Sequence, residues 1–312
     1  MGARNRKVRV VGIASAARAA VTHTLRGAWD FTVRVYNAAA ADDIFFLAGG
    51  IAFNILVAAI PFLLLIVAIF GFVLPTIVEE PEQAAVEYVL SILPPSQTVV
   101  NFTRELVSGV IGGRTRFGIA GVVLFVWTAT RLFGTLRTVL RYVFDLQDDR
   151  GIVGGKIFDA QMVILAGTLF LANTGITIGL EGIRAFGRDW LASHGYEELP
   201  LVENVYAQLL AFAFIFMMFV LMYRYLPARR MPWRISLVAA GFASVAWELL
   251  KGVFAWYVTY VANYGTLYGR LATLIVLVFW IYYSAVVFIL GGEVGQVYDL
   301  SRTRRRQREL LE

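Results

Sequence analysis

The stretch LAGGIAFNILVAAIPFLLLIVAIFGFVL, residues 47–74, contains no ionisable side chain. A helix needs roughly 20 mostly apolar residues to cross a hydrocarbon core about 30 Å thick, so this segment alone is long enough to span a bilayer. Five more apolar runs follow, at Phe117–Leu136, Ile157–Leu180, Val205–Leu226, Ile235–Tyr260 and Leu271–Val294. The segments between them alternate in charge. Sorting Lys and Arg to alternate sides puts twenty-one on the side of the termini and six on the other, with Lys251 left inside a span. Basic loops stay cytoplasmic, so the pattern predicts an all-α polytopic membrane protein with six transmembrane helices and both termini in the cytoplasm.

Bulk composition agrees. Hydrophobic residues make up 59% of the chain and mean hydropathy is +0.68, against an apolar share of roughly 45–50% in soluble domains. The basic pI of 9.6 would argue for nucleic acid in a soluble chain. Here topology and anionic headgroups account for the excess charge, and no nucleic-acid partner is expected. There are no cysteines and only two histidines, His23 and His194, far apart in the sequence. That composition removes disulfides, thiolate chemistry and histidine metal clusters, so neither a metal nor a cofactor is expected.

Residues 1–43 read as a basic arm, 44–300 as the membrane domain and 301–312 as a basic tail. Within the arm Val21, Leu25, Trp29, Thr32 and Tyr36 share one helical face, the pattern of an amphipathic helix lying among headgroups. The external loop, about 77–116, carries two amphipathic patterns. One starts at Pro81 and is stopped by Pro94-Pro95; the other is capped by Ser96 and expected to end at Gly112-Gly113. Pro61 interrupts the hydrogen bonding of the first span and is expected to act as a hinge. Gly151-Ile-Val-Gly154-Gly155-Lys156 looks like a phosphate loop only superficially. It lacks the spacing and the hydroxyl residue, and it abuts a span rather than a buried strand.

An ionisable group in hydrocarbon costs about 2.5–3.5 kcal/mol on insertion scales, so each one demands an explanation. Glu248 and Lys251 are three residues apart on one helix face, Glu293 lies near the inner end of the last span, and Arg131 ends the second. Two readings stand side by side. The charges pair with one another and fix helix packing, or they line a polar cavity that binds a charged group with help from Asn54 and Tyr268. In the second reading Arg131 and Lys251 form a cationic pair for an anionic headgroup.

Several segments resemble the YihY/BrkB family of bacterial inner-membrane proteins. These are Tyr223-Arg-Tyr-Leu-Pro227, Trp247-Glu248-Leu-Leu-Lys251, Tyr264-Gly-Thr-Leu-Tyr268-Gly269, Trp280-Ile-Tyr-Tyr and Leu290-Gly-Gly-Glu293. The first span to Pro61 and Thr128-Ala-Thr-Arg131 are similar to it as well, and the likeness covers nearly all of residues 40–300. Gly49-Gly50 and Asn54 depart from the family's bulkier or hydroxyl residues there. The resemblance implies six spans in the cytoplasmic membrane and supplies no settled activity. Some members carry the label ribonuclease BN, chemistry that needs a metal cluster this composition does not offer. The expectation is a non-enzymatic transporter or lipid-handling protein of the envelope whose partners are anionic lipids. The alternative is a non-transporting scaffold, with a dry centre and every buried charge paired. Assembly into a homo-oligomer is left open.

Overall fold

The computed structural model describes residues 26–77, 97–147, 150–193, 200–260 and 272–311, with positions 83 and 86 between the first two segments. Among these residues every regular element is a helix, and short turns join them. Helix α1 covers 26–41. It is followed by α2 (Ile44–Ile77), α3 (Gln97–Val143), α4 (Ile152–Ser193), α5 (Pro200–Tyr225), α6 (Trp233–Tyr260) and α7 (Ala272–Glu309). Helices α2 to α7 each contain a segment long and apolar enough to cross a membrane. Their outward faces carry exposed Phe46, Ile60, Ile119, Leu171, Leu249 and Trp256, as a lipid-facing surface requires.

Helix α3 runs without a break through Gly112-Gly113. The stop expected there does not occur, so what reads in sequence as an external amphipathic helix continues directly into the second span. Neither glycine sits in a left-handed conformation that would end a helix. Helix α2 likewise continues through the buried Pro61. One turn further on, a Cβ on Gly121 of α3 would lie 3.1 Å from the backbone nitrogen of Leu65. Only a missing side chain lets the two backbones approach so closely. The arm residues up to 25, the amphipathic pattern beginning at Pro81 and Tyr268 lie outside the described residues.

The core is concentrated at the end of the bundle that carries both termini. Leu140 and Val143 of α3, Tyr223 of α5, Ala239, Ala240 and Ala243 of α6 and Ile289 of α7 meet there with almost no exposed surface. Glycines at 291, 292 and 295 make α7 the thin central helix. A Cβ on each would come within about 3 Å of Ala243, Val143 and Ala239 respectively. Helix α1 leans on this end through Phe31, Val35 and Ala39, while Trp29 and Tyr36 remain exposed. That exposed aromatic face is the one expected to lie among headgroups.

Candidate functional site

The second span ends in Arg131, Gly134, Thr135, Arg137 and Thr138, which put polar groups at helical spacing along one side of α3. With Gly49, Gly50, Phe53 and Asn54 of α2 and the start of α4, they border an open cleft of about 850 Å³. Asn54 is almost fully buried. Its amide donates to the Gly50 carbonyl at 2.9 Å and to the Thr135 hydroxyl at 3.1 Å, tying α2 to α3 at the cleft wall.

The charges in the cleft fall into two kinds. Arg137 grips the buried Asp159 of α4 in a two-point contact, Nε to Oδ1 at 3.1 Å and Nη2 to Oδ2 at 3.3 Å. Gly134 and Gly155 leave room for it, because a Cβ at either would press on the carboxylate or the guanidinium. Arg131 and Lys156 are instead exposed at the cleft's edge and have no ion-pair partner among the described residues. Exposed Phe45, Phe46 and Phe53 stand around them. Gly151 just before α4 and Lys156 in its second turn also line the cleft, and a helix N-terminus adds partial positive charge of its own. The glycine run set aside as a poor phosphate loop therefore does border the cleft, by beginning a helix there.

The structure does not bring the other expected residues to this place. Lys251 and Glu248 pair with each other at 2.8 Å on the outer surface of α6, each side chain about two-fifths exposed. Helix α6 packs on α5 and α7, whereas Arg131 sits on α3 between α2 and α4. The cationic pair of Arg131 and Lys251 is thus not formed. Glu293 also meets no basic partner among the described residues: it is fully buried, and none of them donates to either of its oxygens. Arg137, Asp159 and Lys156 are the residues sequence reasoning missed. Their signal was a basic residue six positions after Arg131 and a lone carboxylate early in the third span.

A family profile described as Virulence factor BrkB matches residues 35–310. The chain belongs to the BrkB family. Among its BrkB relatives a UPF0761 membrane protein of Alteromonas mediterranea is 25% identical over 273 residues, covering 86% of this chain and 89% of the relative. A second UPF0761 membrane protein, from Alkalilimnicola ehrlichii, is 27% identical over 284 residues, or 90% of this chain and 61% of the relative. A Bacillus subtilis protein with the ribonuclease-like name YfkH is 26% identical over 200 residues, 63% of this chain and 70% of its own length. No solved structure matches the chain.

The BrkB segment Tyr223–Pro227 has a local architectural role. Tyr223 donates to the Phe288 carbonyl at 2.6 Å, Arg224 caps Met231 at 2.8 Å, and Arg150 reaches the Pro227 carbonyl at 3.0 Å. Arg224 lies over the Trp233 ring at 3.8 Å and Arg150 over Phe158 at 3.5 Å. These contacts fix the α5–α6 turn rather than form a site.

Proposed function

We propose that this membrane protein handles an anionic amphiphile of the cell envelope, its headgroup held in the cleft between α2, α3 and α4. The observation that carries the reading is the pair of cations, Arg131 and Lys156, without an ion-pair partner among the described residues, at the edge of a cleft that also carries exposed Phe45, Phe46 and Phe53. A phosphate-bearing lipid has the matching chemistry, with negative charge for Arg131, Lys156 and the α4 N-terminus and an apolar body for the phenylalanine rim. Arg137 is less available, since Asp159 already engages it. The charge pattern supports a cytoplasmic position for the termini and for the cleft's charged end, where anionic lipids attract basic residues.

A non-transporting scaffold would have a dry centre and a partner for each buried charge. An 850 Å³ cleft bordered by Arg131 and Asn54 speaks against it. Native mass spectrometry with lipids left attached tests the proposal. Arg131→Ala and Lys156→Ala, each folded, are expected to lose an anionic lipid that the wild type and Lys251→Ala retain. If both variants stay folded and keep the lipid, or if both unfold because the charges are structural, the reading fails.

A further inference from the structure

The buried carboxyl of Glu293 has no place in the cleft, and the structure shows what it faces. Its side chain is entirely shielded and neither oxygen meets a donor. The group within hydrogen-bonding reach is another carboxyl, that of Asp42 in the turn between α1 and α2. Two deprotonated carboxylates cannot make that bond; it exists only with a proton between them. We propose that Asp42 and Glu293 form a proton-binding site, holding one shared proton between the α1–α2 turn and the central helix α7.

The surroundings suit a proton and offer little to a larger cation. Asp43 neighbours Asp42 in the turn, and Asp145 sits at the end of α3 with its carboxylate taken up by the Gln296 amide at 2.7 Å. Both adopt a left-handed backbone, at φ 48°. Arg141, also at the end of α3, has its guanidinium over the Tyr142 ring. From α5 comes Tyr223, whose hydroxyl hydrogen is committed to the Phe288 carbonyl. On the α6 side the adjoining glycines of α7 lie against Ile235, Ala239 and Ala243. The groups acting most strongly on the pair are therefore acidic, and they disfavour a second negative charge. Among the described residues no three acidic or histidine side chains converge closely enough to hold a metal ion. Burial, more than the neighbouring acids, holds the Asp42 carboxyl above its usual range. Asp42 is only half-buried and Glu293 is sealed, so Asp42 is the member of the pair that reaches the surface.

This site is independent of the cleft, and its test needs no bound lipid. Infrared difference spectra of the delipidated protein, taken across a pH titration, read protonated carboxyl groups through their deuterium-sensitive C=O stretch. The wild type is expected to show such a band at neutral pH that disappears on alkalinisation. Glu293→Gln should abolish it. Asp42→Asn removes the acidic neighbour and supplies an amide donor, so the midpoint of the band's loss should move to lower pH. Because Asp42 is half-buried, that variant keeps the test decisive if Glu293→Gln does not fold. A wild type without the band, a band unchanged in both variants, or a band displaced by sodium or potassium at constant pH would each overturn the proposal. Lipid retention by Arg131→Ala reports separately on the cleft.

Discussion

Arg137 of α3 and Asp159 of α4 meet through two parallel contacts at the back of the cleft, with a glycine on each side of the pair. The pair joins two spans and takes one cation out of play, which leaves Arg131 and Lys156 as the charges on offer. Asp159 is 2% exposed, and removing one member of a buried pair strands the other. Asp159→Ala is therefore expected to cost about 3–5 kcal/mol, read as a lower midpoint of thermal unfolding in detergent. Asp159→Asn, which keeps the shape, should cost less, because its amide oxygen can still accept from Arg137.

The glycines of α7 give a second expectation. A Cβ at Gly292 would lie 2.9 Å from Val143, in a well-packed region with nowhere to yield. Gly292→Ala should destabilise by about 1–3 kcal/mol. Tyr223→Phe, which only removes the hydroxyl bonded to Phe288, should cost about 1 kcal/mol. Fluorescence-detected unfolding of both variants ranks them, and the reverse order would contradict the packing described.

Glu248 and Lys251 are a self-contained pair on the outside of α6. Replacing Lys251 alone leaves a carboxylate facing hydrocarbon, at about 2.5–3.5 kcal/mol on insertion scales. The charge-free double replacement Glu248→Gln with Lys251→Met should recover most of that loss in expression and thermal stability. Both forms that fold are expected to retain the cleft lipid like the wild type. Loss of lipid in the double variant would return these residues to the site.

Asp42 predicts the direction of the pH dependence. Its carboxyl is held above the ordinary range, chiefly by burial, so the folded state binds the proton more tightly than the unfolded chain does. The resulting stabilisation is full below the unfolded value of about 4 and is lost as pH rises through the folded value. Unfolding midpoints measured across acid to neutral pH should fall in that window for the wild type. They should fall less in Asp42→Asn.

The membrane architecture was legible because bilayer physics acts on single residues and short windows. Six runs had to be apolar, and the basic residues had to collect on one side, whatever the helices did to each other. Local stops were less legible. Gly112-Gly113 looks like an end in sequence, yet α3 passes through it, since a glycine pair ends a helix only where the backbone turns left-handed. Asn54 and Arg131 were recognisable as polar residues out of place, and both border the cleft. Lys251 was equally out of place and lies elsewhere.

The sequence by itself determined the class of fold, the number of spans and which side chains carry a desolvation cost. It could not say which of those costs are met by a partner, because partners come from other helices at unrelated sequence distances. Only the packing of α3 against α4 joined Arg137 to Asp159 across 22 residues, and only the return of α7 to the α1–α2 turn set Glu293 beside Asp42. Hydrophobicity is a property of a segment, whereas charge compensation is a property of a contact. That is why the six apolar runs were enough to read the fold, and why the cleft's cations and the buried carboxyl pair emerged from the tertiary structure.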